Sequence, residues 1–171
     1  MLGLGAFFLV RFVGGGGLHN GGPLAPRAGY TDAVAVPVDV KTPYSWGLIY
    51  LDNRGNDDTA HVVAFDLGQV PPGLRVLGSY AQDPFGHSIG VLPGYDPSNG
   101  PPVEGLDIPA HGIYEVIVGL SATTQGRHLI PDVRVRYTSG GTRYEATFDQ
   151  AIVLCAPKAE YMKKGCPSPL D

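Results

Sequence analysis

The chain has 171 residues, 43% of them hydrophobic and 16% charged, with a formal net charge of −4. That length supports one well-buried core and is short for two ordinary domains joined by a linker, while the acidic balance leaves no surplus of cations to neutralise a phosphate backbone, which argues against nucleic-acid binding. The 25 glycines and 16 prolines punctuate apolar runs instead of forming tracts, the pattern of short strands joined by many turns.

Residues 1–13, MLGLGAFFLVRFV, form an apolar run broken only by Arg11 and followed at once by Gly14-Gly15-Gly16-Gly17. A helix needs about 20 such residues to cross a bilayer, and the run lacks the positive n-region and small-residue cleavage site of a secretory signal. Two readings stay open. In one, the run is the outer half of a transmembrane helix or signal-anchor that begins upstream, with Arg11 snorkelling at the interface; in the other, it is an apolar first strand. The abrupt passage into glycine favours the anchor. Residues 14–31 then form a Gly-rich flexible tether without a core-forming pattern.

From residue 32 to residue 155 the hydrophobic period is two, as in half-buried strands. Val34, Val36, Val38 and Val40 alternate with Ala35, Pro37 and Asp39, and Pro37, lacking a ladder donor, marks an edge strand. Residues 45–53 read as a second strand, ended by the turn Arg54-Gly55-Asn56-Asp57-Asp58. Residues 61–67 make a third, and residues 74–80 a fourth after the Pro71-Pro72-Gly73 break. Residues 81–105 are irregular, with Asp83-Pro84, Leu92-Pro93-Gly94 and Asp96-Pro97 in close succession, and a loop of that length is either functional or mobile.

Strand signals then resume. Tyr114, Val116 and Val118 alternate with Glu115, Ile117 and Gly119, a segment suited to burial on both faces. In residues 128–137, Val133, Val135 and Tyr137 point inward and Arg134 and Arg136 outward; Ser139-Gly140-Gly141-Thr142 is a hairpin turn that tolerates positive φ. The returning strand sets Tyr144, Ala146 and Phe148 on one face and Arg143, Glu145 and Thr147 on the other, and residues 151–155 are an apolar strand end. Residues 156–171 are a tail. Cys155 and Cys166 are spaced for a local disulfide, worth on the order of 2–3 kcal/mol and persistent only in an oxidising compartment; the alternative is two free thiols, with Cys155 buried at its strand end.

Seven to nine short strands at this spacing predict an all-β fold, a two-sheet sandwich. The run from Val133 through Tyr144, after Gly126, resembles the final hairpin of immunoglobulin-like and fibronectin-III-like domains of bacterial envelope proteins. Ile49-Tyr50-Leu51-Asp52-Asn53-Arg54-Gly55 resembles an early strand of that family. The resemblance spans about residues 34–154, rests on pattern, and departs from antibody-type domains in having no cysteine pair between the sheets. It implies an immunoglobulin-like fold and leaves function open.

Candidate sites are few. The five histidines (His19, His61, His87, His111, His128) lack the Cys-His-Met order of a copper site, although His61, His87 and His111 can still meet in space. The 52–58 turn is rich in oxygen ligands but lacks the alternation and distal Glu of a calcium loop, so a solvated turn explains it. Ser79 and Ser88 stand in no Gly-x-Ser-x-Gly elbow, and the carboxylates sit mostly in turns. No catalytic residue, metal site or cofactor is expected. Tyr80, Phe85 and Tyr95 form a candidate interaction surface in and beside the 81–105 loop, while Trp46 is better explained by core packing. The expected function is a membrane-tethered, extracytoplasmic structural or protein-interaction module that is not an enzyme. Its partner would be an envelope protein, reached through a loop end or an exposed strand edge. The alternative is a ligand-binding module for carbohydrate or a divalent metal.

Overall fold

The structure, a computed structural model, describes residues 17–26, 32–84 and 90–167. The predicted anchor lies outside them. In chain order the elements are β1 (His19–Asn20), β2 (Asp32–Pro37), β3 (Tyr44–Asp52), β4 (Ala60–Asp66), β5 (Leu74–Gln82), β6 (Val91–Pro93), a 3-10 turn (Pro97–Asn99), β7 (Asp107–Ile108), β8 (Ile113–Ala122), β9 (Gly126–Ile130), β10 (Val133–Ser139), β11 (Thr142–Phe148), β12 (Gln150–Ala156) and α1 (Lys158–Lys164). No helix among the described residues is long and apolar enough to cross a membrane.

The strands form a five-stranded sheet ordered β1-β11-β10-β4-β7, a four-stranded sheet ordered β5-β8-β3-β6, and a three-stranded sheet ordered β2-β12-β9. In chain sequence, β3, β4, β5, β8, β10 and β11 occupy the B, C, D, E, F and G places of an immunoglobulin sandwich, with D-E-B in one sheet and C-F-G in the other. The fold is therefore an immunoglobulin-like sandwich. Its interior is one cluster in which Trp46, Ile49 and Leu51 of β3 and Val116, Val118 and Leu120 of β8 meet Val133, Val135 and Tyr137 of β10 and Ala146 and Phe148 of β11. Period two holds on β10 and β11, where Arg134, Arg136, Arg143 and Thr147 face solvent. Gly140 and Gly141, with φ of 54° and 76°, make the two-residue turn between them, a conformation that a side chain would strain.

Three features differ from the sequence expectation. The predicted strand over residues 128–137 is two strands in two sheets. β9 pairs with β12 and β10 pairs with β4 and β11, and the break falls at Pro131-Asp132, because Pro131 has no N–H with which to continue a ladder. β2 is indeed an outer strand, but it runs parallel to β12, with Val36 opposite Leu154 and Pro37 opposite Cys155.

The second difference concerns the tether. Within it, residues 17–26 are docked on the sandwich. β1 lies parallel to β11, the Gly21 N–H donates to the Glu145 carbonyl at 2.7 Å, and Leu24 is 1% exposed. The Leu24 N–H donates to Tyr137 Oη at 3.0 Å, and that hydroxyl donates to the Gly21 carbonyl at 2.8 Å. Burial pushes the Tyr137 phenol up to about 12. Gly22 (φ 86°) runs so close to Tyr137 and Tyr144 that a Cβ would lie 2.4 Å from the Tyr144 ring. A glycine-rich stretch was needed here for contact, not for flexibility.

The third difference is α1, a short helix inside the predicted tail. It follows β12 and is closed by a disulfide between Cys155 and Cys166.

Candidate interaction surface

β8 is buried along nearly its whole length because both its faces are covered. One faces the sandwich interior. The other carries Glu115, Ile117 and Ser121, all buried, on the outside of the four-stranded sheet. Part of the irregular region lies against this sheet: β6 pairs with β3, Ser45 Oγ donates to the Gly94 carbonyl at 2.7 Å, and the Ala81 N–H donates to the Pro101 carbonyl at 2.8 Å. The described part of the predicted loop is thus a cover fastened at several points.

This placement changes the role of the predicted aromatic surface. Tyr80 is 2% exposed and presents no ring face to a partner. Tyr95 is part-buried over a floor of glycine: a Cβ on Gly119 would lie 2.5 Å from its ring, and one on Gly78 would lie 2.9 Å from its hydroxyl. The two rings are 5.9 Å apart and tilted by 32°. Burial, with smaller contributions from Tyr80 and Asp96, raises the Tyr95 phenol above its ordinary range. Phe85 lies outside the described residues. The usable signal was Gly78 and Gly119, two glycines inside strands and opposite each other in register, which mark a close approach.

The polar candidates also disperse. His61 Nδ1 lies 2.7 Å from Asp107 Oδ1 on an open surface, and His111 is tied to the Arg54 carbonyl at 3.1 Å. His128 is buried against the Thr124 carbonyl at 2.9 Å, and His87 lies outside the described residues. Among the described residues no three His, Cys, Asp or Glu side chains come together as metal ligands. The 52–58 turn is organised from inside. Asn53 is fully buried, and its Nδ2 reaches the carbonyls of Asp58, Ile108 and Pro109 at 2.9, 3.1 and 3.0 Å. Asp52 holds Arg54 in an ion pair at 2.7 Å.

What remains is the margin where β4 and β5 face each other across the sandwich. β7 reaches only Ala60 and His61 of β4, and Pro101 and Pro102 reach only Tyr80 and Ala81 of β5. Gly105 and Leu106, just before β7, exchange backbone hydrogen bonds with Val62 at 2.9 Å; among the described residues, the lengths of β4 beyond Val62 and of β5 before Tyr80 have a ladder partner on one side alone. Between them lies a groove of about 360 Å³, with Phe65, Val70 and Val76 on its walls and Val103 and Val118 among its lining residues. Each strand carries one extra residue there: Val63 between the pairs Val62↔Tyr137 and Ala64↔Arg136, and Leu77 between Val76↔Leu120 and Gly78↔Gly119. Such bulges twist an edge away from a flat pairing geometry and guard it against indiscriminate strand addition. A larger cleft of about 580 Å³ includes Ala25, Tyr50, Arg54 and Phe148 in its lining. It is bordered by Pro26 and Pro84, where the described chain stops.

No protein-family model matches the chain, and no curated protein sequence matches it. Among solved structures, it is similar to the ASH / PapD-like domain of human CEP192 (PapD-like domain 7), with 12% identity, a TM-score of 0.42, and coverage of 75% of this chain and 83% of that one. It is also similar to the Vibrio cholerae VesB protease, with 14% identity and a TM-score of 0.35, over 71% of this chain but 30% of that one.

Proposed function

We propose that this chain is a protein-interaction module without catalytic activity, carried on the outer side of a membrane, and that it receives its partner at the β4–β5 margin. One observation carries the reading. Six large hydrophobic side chains are well exposed among the described residues, and three belong to this margin: Val70 (38%) and Val76 (39%) line the groove, and Val63 (54%) is the bulged residue of β4. The other three, Leu18, Leu92 and Met162, lie before β1, on β6 and on α1, one each. Single exposed apolar residues are ordinary, whereas a cluster around a groove marks a docking surface.

The bulged edges favour a partner that inserts apolar side chains into the groove over one that extends the sheet by another strand. Placement outside a membrane rests on the apolar run of residues 1–13 and agrees with a disulfide, which endures only under oxidising conditions. The absence of catalysis rests on the polar groups: the His61–Asp107 pair is exposed, at 49% and 70%, where water screens it and no described residue encloses a substrate.

The test is a photo-crosslinking amino acid placed at Val76 and, as a control, at exposed Thr147 of β11, with the protein expressed in its own cells. A discrete adduct, identified by mass spectrometry and formed from position 76 alone, is expected. Equal adducts from both positions, or none from Val76, would refute the margin as the docking site.

A further inference from the structure

We infer that the Cys155–Cys166 disulfide is a redox latch, which keeps the tail of residues 157–167 folded against the end of β12 and, when reduced, frees it without unfolding the sandwich. The two halves of the bridge differ. Cys155 is fully buried at the end of β12, opposite Pro37 of β2 and Arg127 of β9, whereas Cys166 is part-exposed beyond α1. Between them α1 has seven residues and none of them is buried. Its Lys164 pairs with Glu160 and lies over the Tyr161 ring, so those side-chain interactions are internal to the helix. Isolated helices of fewer than about 12 residues are marginal in water. Helix α1 lies beside β2 and β12, but Tyr161 is its one part-buried side chain, so the covalent closure is a main source of its order.

The chemistry is thiol–disulfide exchange with a dithiol reductant. A reductant thiolate attacks the Cys166 sulfur, the S–S bond breaks, and Cys155 leaves as a thiolate that takes up a proton. The second reductant thiolate then attacks the mixed disulfide, so Cys166 is released as a thiol and the reductant ends as a disulfide, two electrons having passed to the protein. The buried Cys155 thiol remains in β12 as a small apolar group. The freed tail presents Lys158, Met162, Lys163 and Lys164, which are already exposed in the closed form.

A bridge of this loop length would ordinarily add on the order of 2–3 kcal/mol to global stability. That figure assumes that the reduced native state keeps the loop ordered. Where the reduced tail is free in both folded and unfolded states, the closure entropy largely cancels, and the sandwich melts at nearly the same temperature. The full chain is compared with its Cys166→Ser variant, and wild type with and without a phosphine reductant. Trypsin cleavage after Lys158, Lys163 and Lys164 should quicken by about tenfold or more on loss of the bridge, as expected when the open form passes from minor to dominant. The Tm should move by less than about 3 °C. Unchanged cleavage would show that packing holds α1, and a Tm drop of about 8 °C or more would make the bridge a staple of the core; either result overturns the latch.

Discussion

The two margins of the sandwich meet the same problem in opposite ways. Along β11, β1 pairs with the middle of the strand at Tyr144 and Glu145, and the docked segment behind it packs on the sandwich, with Leu24 buried and Tyr137 hydrogen-bonded to both Gly21 and Leu24. Along β4 and β5 no described segment covers most of the edge; each strand bulges, and valines stand in solvent. An unpaired edge is a hazard that a protein either covers or distorts. Covering conceals apolar surface. Distortion prevents sheet extension yet leaves the apolar side chains accessible, and this is why the proposed docking site lies at the bare margin and not at the covered one.

The comparison is broken most forcefully at the interior that both margins share. Phe148, 2% exposed at the end of β11, sits in the common cluster, so Phe148→Ala should cost about 3–5 kcal/mol, read from denaturant unfolding. A loss below about 1 kcal/mol would mean that β11 contributes little to the core and that the covered margin does not lean on it.

The next largest effect separates the margins. Tyr137→Phe keeps the ring but removes the hydroxyl, leaving the Leu24 N–H and the Gly21 carbonyl without that partner, at a cost of about 1–3 kcal/mol. Hydrogen exchange at the Leu24 amide should quicken more than exchange in β4 or β5. The same hydroxyl imposes an alkaline limit: because burial raises its folded pKa to about 12 from the ordinary phenol value of 10.0, its contribution is complete below pH 10 and is lost as pH rises through 12. The Phe variant should lack this component of the alkaline transition.

How far the sequence could be read follows the same division. Alternation was legible wherever a strand has one face in the core, as in Val133, Val135 and Tyr137 or Ala146 and Phe148, because period two is a direct consequence of the pleat. Pro37 at an edge and Gly140-Gly141 in a hairpin were legible because their backbones admit few alternatives. The docked segment was not, since its one buried side chain, Leu24, makes no period, and its glycines serve a close approach that composition alone presents as looseness. The break at Pro131 was passed over because the alternation resumes at Val133 in another sheet with inward residues of the same kind. Tyr80 and Tyr95 looked like recognition aromatics because nothing local shows that two glycines from neighbouring strands lie beneath a ring. α1 escaped for the converse reason: it has no buried stripe to read.

The smallest effect sharpens the comparison most. Replacing Val63 and Val76 by Ser exchanges apolar for polar groups at positions that are 54% and 39% exposed, so folding stability should change by no more than about 0.5 kcal/mol at each. A cost of 2 kcal/mol or more at either position would show that the valines are core residues in disguise and that the groove belongs to the interior. The physical distinction is where the apolar surface ends up. A valine serving the fold has already left water in the isolated chain, whereas one serving a partner leaves water only in the complex, so its removal should weaken association and spare folding. The double variant should therefore unfold with wild-type cooperativity and m-value, because the surface exposed on unfolding scarcely changes. In the same background, a crosslinker at Val70 should lose its adduct, as expected if these side chains serve recognition while the β11 margin serves the fold.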